Sequence, residues 1–185
     1  MDSESAIEAA AQAQAIRMVS HHVRRAFGAS AAKHRPEFKD DCMIERNDTG
    51  QRLLQPRAWP RPRGYANGIA ATGETVFLAG QIGWDAQGRF APDLAGQVGQ
   101  ALSNIVALLA EAGAEPQHLV RLTWFVTDLA AYRAQQTAIG AEYRRVIGRH
   151  FPTMSVIGVS QLVELAALVE IEATAVLPPW QPPHA

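Results

Sequence analysis

The alternation in Val169-Glu-Ile-Glu-Ala-Thr-Ala-Val176 constrains this chain more than any other stretch. Successive side chains of a strand point to opposite faces, so Val169, Ile171, Ala173 and Ala175 make an apolar face and Glu170, Glu172 and Thr174 a polar one. The run Phe151-Pro-Thr-Met-Ser-Val-Ile-Gly-Val159 is also rich in β-branched residues and reads as a second strand, with a polar connection between the two. Glu170 and Glu172 share a face at a spacing of ~6.5–7 Å, near each other without touching. On a solvated face they are the ordinary polar side of an antiparallel strand. Under a covering surface, desolvation pushes one carboxyl toward its neutral form and makes it a candidate general acid or base.

An apolar strand face needs a second layer, and the middle of the chain supplies it. Leu94, Val98, Leu102, Ile105 and Leu109 recur every three or four residues, the face of an amphipathic helix that Asp93 can cap and Gly113 can end. A second helix is expected from Asp128 to Gly148, with the stripe Tyr132, Gln136, Ile139, Tyr143 and Val146. Gln136 is out of place there, because a buried amide must find partners or cost about 1–3 kcal/mol. It bonds a nearby carbonyl or faces a pocket. Leu119–Val126 reads as a core strand, and Gly68–Ala71 with Thr75–Ala79 as a hairpin turning at Thr72-Gly73-Glu74. A short strand near Gln51–Leu54 precedes them. Two helices on one face of a mixed sheet make an α+β sandwich of two layers. The other face is left uncovered, and apolar residues such as Val156, Leu168 and Val176 on it would point to burial against other subunits.

Residues 1–50 differ from this pattern. They hold an alanine-rich stretch and the basic patch His21-His22-Val23-Arg24-Arg25, and their apolar residues form no stripe, so a frayed extension is expected. Met43 offers an alternative start. The domain proper spans 51–178, entered through the proline-rich strap Gln55–Arg63, and a tail runs over 179–185. The balance of 17 basic against 18 acidic residues gives no global argument for nucleic acid. The single cysteine, Cys42, excludes an internal disulfide framework and a cysteine-based zinc site, which makes a reducing cytoplasm the expected compartment. No apolar run approaches the ~18 residues a membrane span needs. None of the six histidines has the spacing of a triad or metal site, and His118 and His150 read as surface or helix-end residues.

The runs Tyr65-Ala-Asn-Gly68, Ala79-Gly-Gln-Ile82, Asn104, Val126-Thr-Asp128, Phe151-Pro152 and Val169-Glu-Ile-Glu-Ala173 resemble, in order and spacing, the Rid family of reactive-intermediate deaminases. These are also called YjgF-like or endoribonuclease L-PSP proteins, and the likeness covers about Gln51 to Leu177. It implies a chorismate-mutase-like fold assembled as a homotrimer, with small-molecule pockets at the subunit interfaces and no metal or organic cofactor. It also implies hydrolysis of enamines and imines, such as 2-aminoacrylate, to 2-oxo acids and ammonia. Position by position, the glutamate that holds water or moves protons falls on Glu170. The substrate-binding positions fall on Tyr65, Gly80, Gln136, Met154 and Ser155.

Met154 is the departure, because the family pattern has there an arginine that holds the substrate carboxylate. A thioether offers neither charge nor donors. The standard substrates are therefore not expected to bind well. Either Arg121, Arg149 or His150 supplies the charge, or the pocket takes a less acidic ligand, with Met154 and Trp84 making it more apolar; plain packing of Met154 is the third possibility. The expected function is a cofactor-free hydrolase of a small imine, enamine or related metabolite, and the alternative is a non-enzymatic trimer that binds a small molecule or partner. A ribonuclease reading lacks the basic, aromatic-interleaved face that single-strand binders use.

Overall fold

The computed structural model describes residues 49–179. The expectations for the extension, its basic patch, Cys42 and the end of the tail lie outside the described residues.

The helical stripe forms as its spacing requires. Helix α1 spans Leu94–Glu111, and the Asp93 carboxylate accepts the Gly96 N–H at 2.7 Å. Leu94, Val98, Leu102, Ile105 and Leu109 are all buried. Gly113 ends the helix with φ +67, the left-handed conformation that favours glycine. Strands follow the alternation closely. β3 (Glu74–Ile82), β4 (Leu119–Val126), β5 (Thr153–Gly158) and β6 (Val169–Leu177) make one sheet in the order β3-β6-β4-β5. The β4–β5 pair is parallel and the other two are antiparallel, so the sheet is mixed. The inner face of β6, Val169 to Ala175, packs with Leu122, Trp124 and Val126 of β4 beneath the helices. This is the expected α+β architecture, two layers with the helices on one side. The buried Trp124 indole N–H has no hydrogen-bond partner among the described residues and sits beside Tyr132, whose ring is edge-on at 6.3 Å.

Four expectations are corrected. Gly68–Ala71 and Thr75–Ala79 do not form a hairpin. Ile69–Ala70 (β2) pairs instead with Arg52–Leu53 (β1) in a separate two-stranded ribbon. The nine-residue β3 lies along the nine-residue β6, which packs the half-buried Val76 and Leu78 against the core and forms a far longer ladder than a two-residue partner could. Just ahead of β3, a Cβ on Gly73 would overlap the Leu177 carbonyl, so that close approach needs glycine.

The second helix is two helices, α2 (Leu129–Ala134) and α3 (Gln136–Val146), parted at Gln135 with φ −100 and ψ 12. Gln136 is consequently exposed rather than set on the buried stripe, while Ile139 and Tyr143 stay buried. Burying the amide would have cost hydrogen bonds to water, and the break avoids that cost. Asp128 caps α2 as expected, accepting from Ala130 and Ala131.

Val156 lies on the helix side, in register with Trp124, and not on the free face. Nor is His150 a plain surface residue. It is half-buried, its Nε2 lies 2.7 Å from the Leu119 carbonyl, and burial pushes its pKa down. His118 Nδ1 accepts the Glu115 N–H at 2.9 Å and so closes a short 3-10 turn. No helix among the described residues is long and apolar enough to cross a membrane.

Candidate functional site

The free face of the sheet follows from register. Ile157, Phe125, Glu170 and Ile82 form one row across β5, β4, β6 and β3. Ser155, Thr123 and Glu172 form the next, and Thr153, Arg121, Thr174 and Phe77 the one after. Phe77 is 80% exposed and Ile157 44% exposed. A face with Phe77 and Ile157 exposed beside two carboxylates has no covering element among the described residues.

Glu170 and Gly80 are brought together. The ladder between β3 and β6 shifts between Leu78 and Gln81, and Gly80 falls in that irregularity. A Cβ there would coincide with the Glu170 carboxylate, with Oε1 its nearest atom. The missing side chain is the seat of the carboxyl. Beyond it, Gln81 Nε2 donates back to the Ala79 carbonyl at 3.1 Å. Asn104 of α1 donates to the carbonyls of Ile82 and Trp84 at 3.1 and 3.0 Å, which ties down the segment leaving the strand. Trp84 stands apart, tilted against Phe90 at 6.2 Å.

The start of β6 is held from below by a residue the sequence reading passed over. Gln97 is buried; its Nε2 donates to Ala91 and Ala166 carbonyls at 3.1 and 3.0 Å, and its Oε1 accepts the Leu168 N–H at 2.8 Å. A polar residue inside an apolar helical stripe was the available signal, the same signal that drew attention to Gln136. Thr127 adds its N–H to the Leu168 carbonyl. One residue, Val169, separates this anchor from Glu170.

Tyr65, Met154 and Ser155 form a second group. The N–H of Ala66 donates to the Pro152 carbonyl at 3.0 Å, which places the exposed Tyr65 at the head of β5. Phe151 stacks on Tyr143 at 5.6 Å, and the Tyr143 hydroxyl donates to the His150 carbonyl at 2.8 Å. Burial pushes the Tyr143 pKa well up. Met154 is half-buried on the helix side, packed against the core in register with Leu122. Ser155 is exposed on the free face.

The two groups do not meet within one chain. Met154 and Glu170 lie on opposite faces with β4 between their strands, ~14 Å apart from strand rise and spacing. Gln136 makes no hydrogen bond to either group. Among the described residues, no three His, Cys, Asp or Glu side chains cluster as metal ligands.

The profile of the family described as Endoribonuclease L-PSP matches residues 58–177. A RutC family protein of Aquifex aeolicus is 32% identical over 126 residues, covering 67% of this chain and 97% of its own length. A 2-iminobutanoate/2-iminopropanoate deaminase of Salmonella typhimurium is 33% identical over 116 residues, covering 60% of this chain and 86% of its own length. In three dimensions the chain resembles the conserved Rid family protein YyfB of Yersinia pestis, with a TM-score of 0.61 and 34% identity over 69% of this chain and 98% of that one.

Proposed function

Because the chain belongs to the Endoribonuclease L-PSP family, which takes in the Rid or YjgF-like proteins, we propose that it is a cofactor-free hydrolase of a small imine or enamine. The observation that carries this reading is the Glu170 carboxyl seated over Gly80, held by a buried anchor at the start of its strand. The name of the Salmonella relative supports the same reaction class, deamination of a 2-imino acid.

An imine carbon is already electrophilic, so a positioned water and one proton carrier suffice. Glu170 accepts a proton as the water oxygen bonds to carbon and the C=N π electrons move to nitrogen. It returns that proton to the nitrogen, which gives the carbinolamine; it then carries the hydroxyl proton to the amino group, the C–N bond breaks as the C=O forms, and ammonia leaves. An enamine first takes a proton on carbon and gives one up from nitrogen to become the imine. No electron donor or acceptor is needed.

The pocket we assign to this chemistry is shared between copies in a homotrimer. Glu170 and Gly80 come from one subunit, and Tyr65, Gln136, Met154 and Ser155 from the next. The separation of the two groups and the exposed Phe77 and Ile157 on the free face support that arrangement. Met154, turned toward the core and uncharged, disfavours the 2-aminoacrylate type of substrate.

The test is release of ammonia and oxo product from freshly generated imines. Acceleration that is lost in Glu170→Ala is the expected result. No acceleration across a broad panel, with the variant behaving like the parent protein, would remove the hydrolase reading. Met154 motivates the second reading, a trimer that binds a small metabolite without turnover. There a ligand raises the melting temperature by mass action while no product forms.

A further inference from the structure

We propose that Arg121 anchors an acidic group of the substrate, so that the site selects an imine whose carboxylate lies several bonds from the C=N carbon. This rests on the hydrolase reading and adds the substrate class to it.

Arg121 is the one basic side chain on the four strands of the larger sheet. Its register with Thr174 and Thr153 puts it on the free face with Glu170 and Glu172. It is exposed, and among the described residues it enters no hydrogen bond or ion pair. Its hydroxyl neighbour Thr153 is already committed to the Val120 carbonyl at 2.7 Å. The guanidinium fork is therefore unspent, on the same surface as the proposed proton carrier.

The other two cations that could offset the neutral Met154 are worse placed. His150 is half-buried and its Nε2 is engaged by the Leu119 carbonyl. Arg149 belongs to the link ahead of β5 and to no strand.

Spacing then sets the ligand. Arg121 and Glu170 are four residues apart in register on neighbouring strands, two rows of the free face with Glu172 in the row between, because Arg121 pairs with Thr174 and Phe125 with Glu170. That is ~14 Å between Cα atoms. With both side chains leaning inward they bracket an extended anion. They do not suit a 2-imino monoacid, whose only carboxylate is bonded directly to the reacting carbon. A guanidinium holds a carboxylate through two parallel charge-assisted hydrogen bonds, which gives direction as well as attraction.

The full-length protein can be titrated calorimetrically with 2-oxoglutarate, with its distal monoester and with 2-oxobutanoate. The expected result is that 2-oxoglutarate binds about tenfold or more tightly than either of the others, by a margin that shrinks with added salt. Arg121→Gln abolishes the margin, and Arg121→Lys keeps part of it. In turnover, Arg121→Gln raises KM about tenfold for the imine of 2-oxoglutarate but not for that of 2-oxobutanoate. Equal binding of the three ligands, binding of none of them, or a margin that survives in Arg121→Gln would overturn the proposal. Binding that depends on Arg121 without turnover of any imine would remove the hydrolase reading alone. Turnover with no Arg121-dependent preference would remove the anchor alone.

Discussion

Gly80 and Glu170 form a pair in which one residue matters for what it lacks. A methyl group on Gly80 would occupy the position of the Glu170 carboxylate, while the glycine backbone itself is not in a left-handed conformation. Gly80→Ala is therefore expected to cost more activity than stability. Its rate of imine hydrolysis should approach that of Glu170→Ala while its melting temperature moves only a few degrees, and parallel loss of both would show a structural role instead. His150 carries a pH dependence of definite sign. Burial lowers its pKa in the folded protein against the opposing pull of the Leu119 carbonyl, so the unfolded chain binds its proton more readily. The associated stability is fully present above the ordinary histidine pKa of about 6.5 and is lost as pH falls through the lower folded value. Melting temperatures recorded from neutral to mildly acid pH should fall in the parent protein and fall less in His150→Gln.

Among the elements, the junction of α1 with β6 has the most leverage on the site. Gln97 closes three hydrogen bonds there, and removing its side chain strands a buried N–H and two carbonyls. Gln97→Ala is expected to cost about 2–3 kcal/mol, read as a drop of roughly 5–10 °C in melting temperature. Because Leu168 leads directly into the strand that carries Glu170, imine hydrolysis should fall beyond what stability explains. The Asp93 cap is a useful contrast. Asp93→Ala costs about 1 kcal/mol of helix stability, and its site distance predicts little change in turnover per folded molecule. The break at Gln135 shows a rule acting against a pattern: Tyr132, Ile139 and Tyr143 keep their apolar contacts, and the chain bends so that the amide between them reaches water.

At the scale of the molecule, the free sheet face is what the proposed trimer would cover. Phe77, Phe125, Ile157 and Ile82 lie on it with both carboxylates, an arrangement that favours a partner over bulk water. Sedimentation of the purified protein is expected to give the mass of a trimer. Phe77→Glu, which sets a charge on the most exposed of these side chains, should yield smaller species and lose imine hydrolysis with the assembly. A monomeric parent protein with full activity would show that the two residue groups need not come from different chains.

Local pattern was enough for most elements, because burial of one face forces a period of two on strands and near 3.6 on helices, though not for the break at Gln135. Glu170, Gly80, Tyr65 and Met154 became candidates by another route, the family likeness carried by their neighbours in the chain. Pairing was a different matter. Whether Thr75–Ala79 turned back on Gly68–Ala71 or ran along the last strand depended on a ladder about a hundred residues away in sequence, and no local signal reports that competition. The same holds for direction: only the register of β4 with its two neighbours put Arg121 on the face of Glu170 and turned Met154 toward the helices. Which face a side chain meets is decided by contacts that close across the whole chain, and those contacts exist only once it has folded.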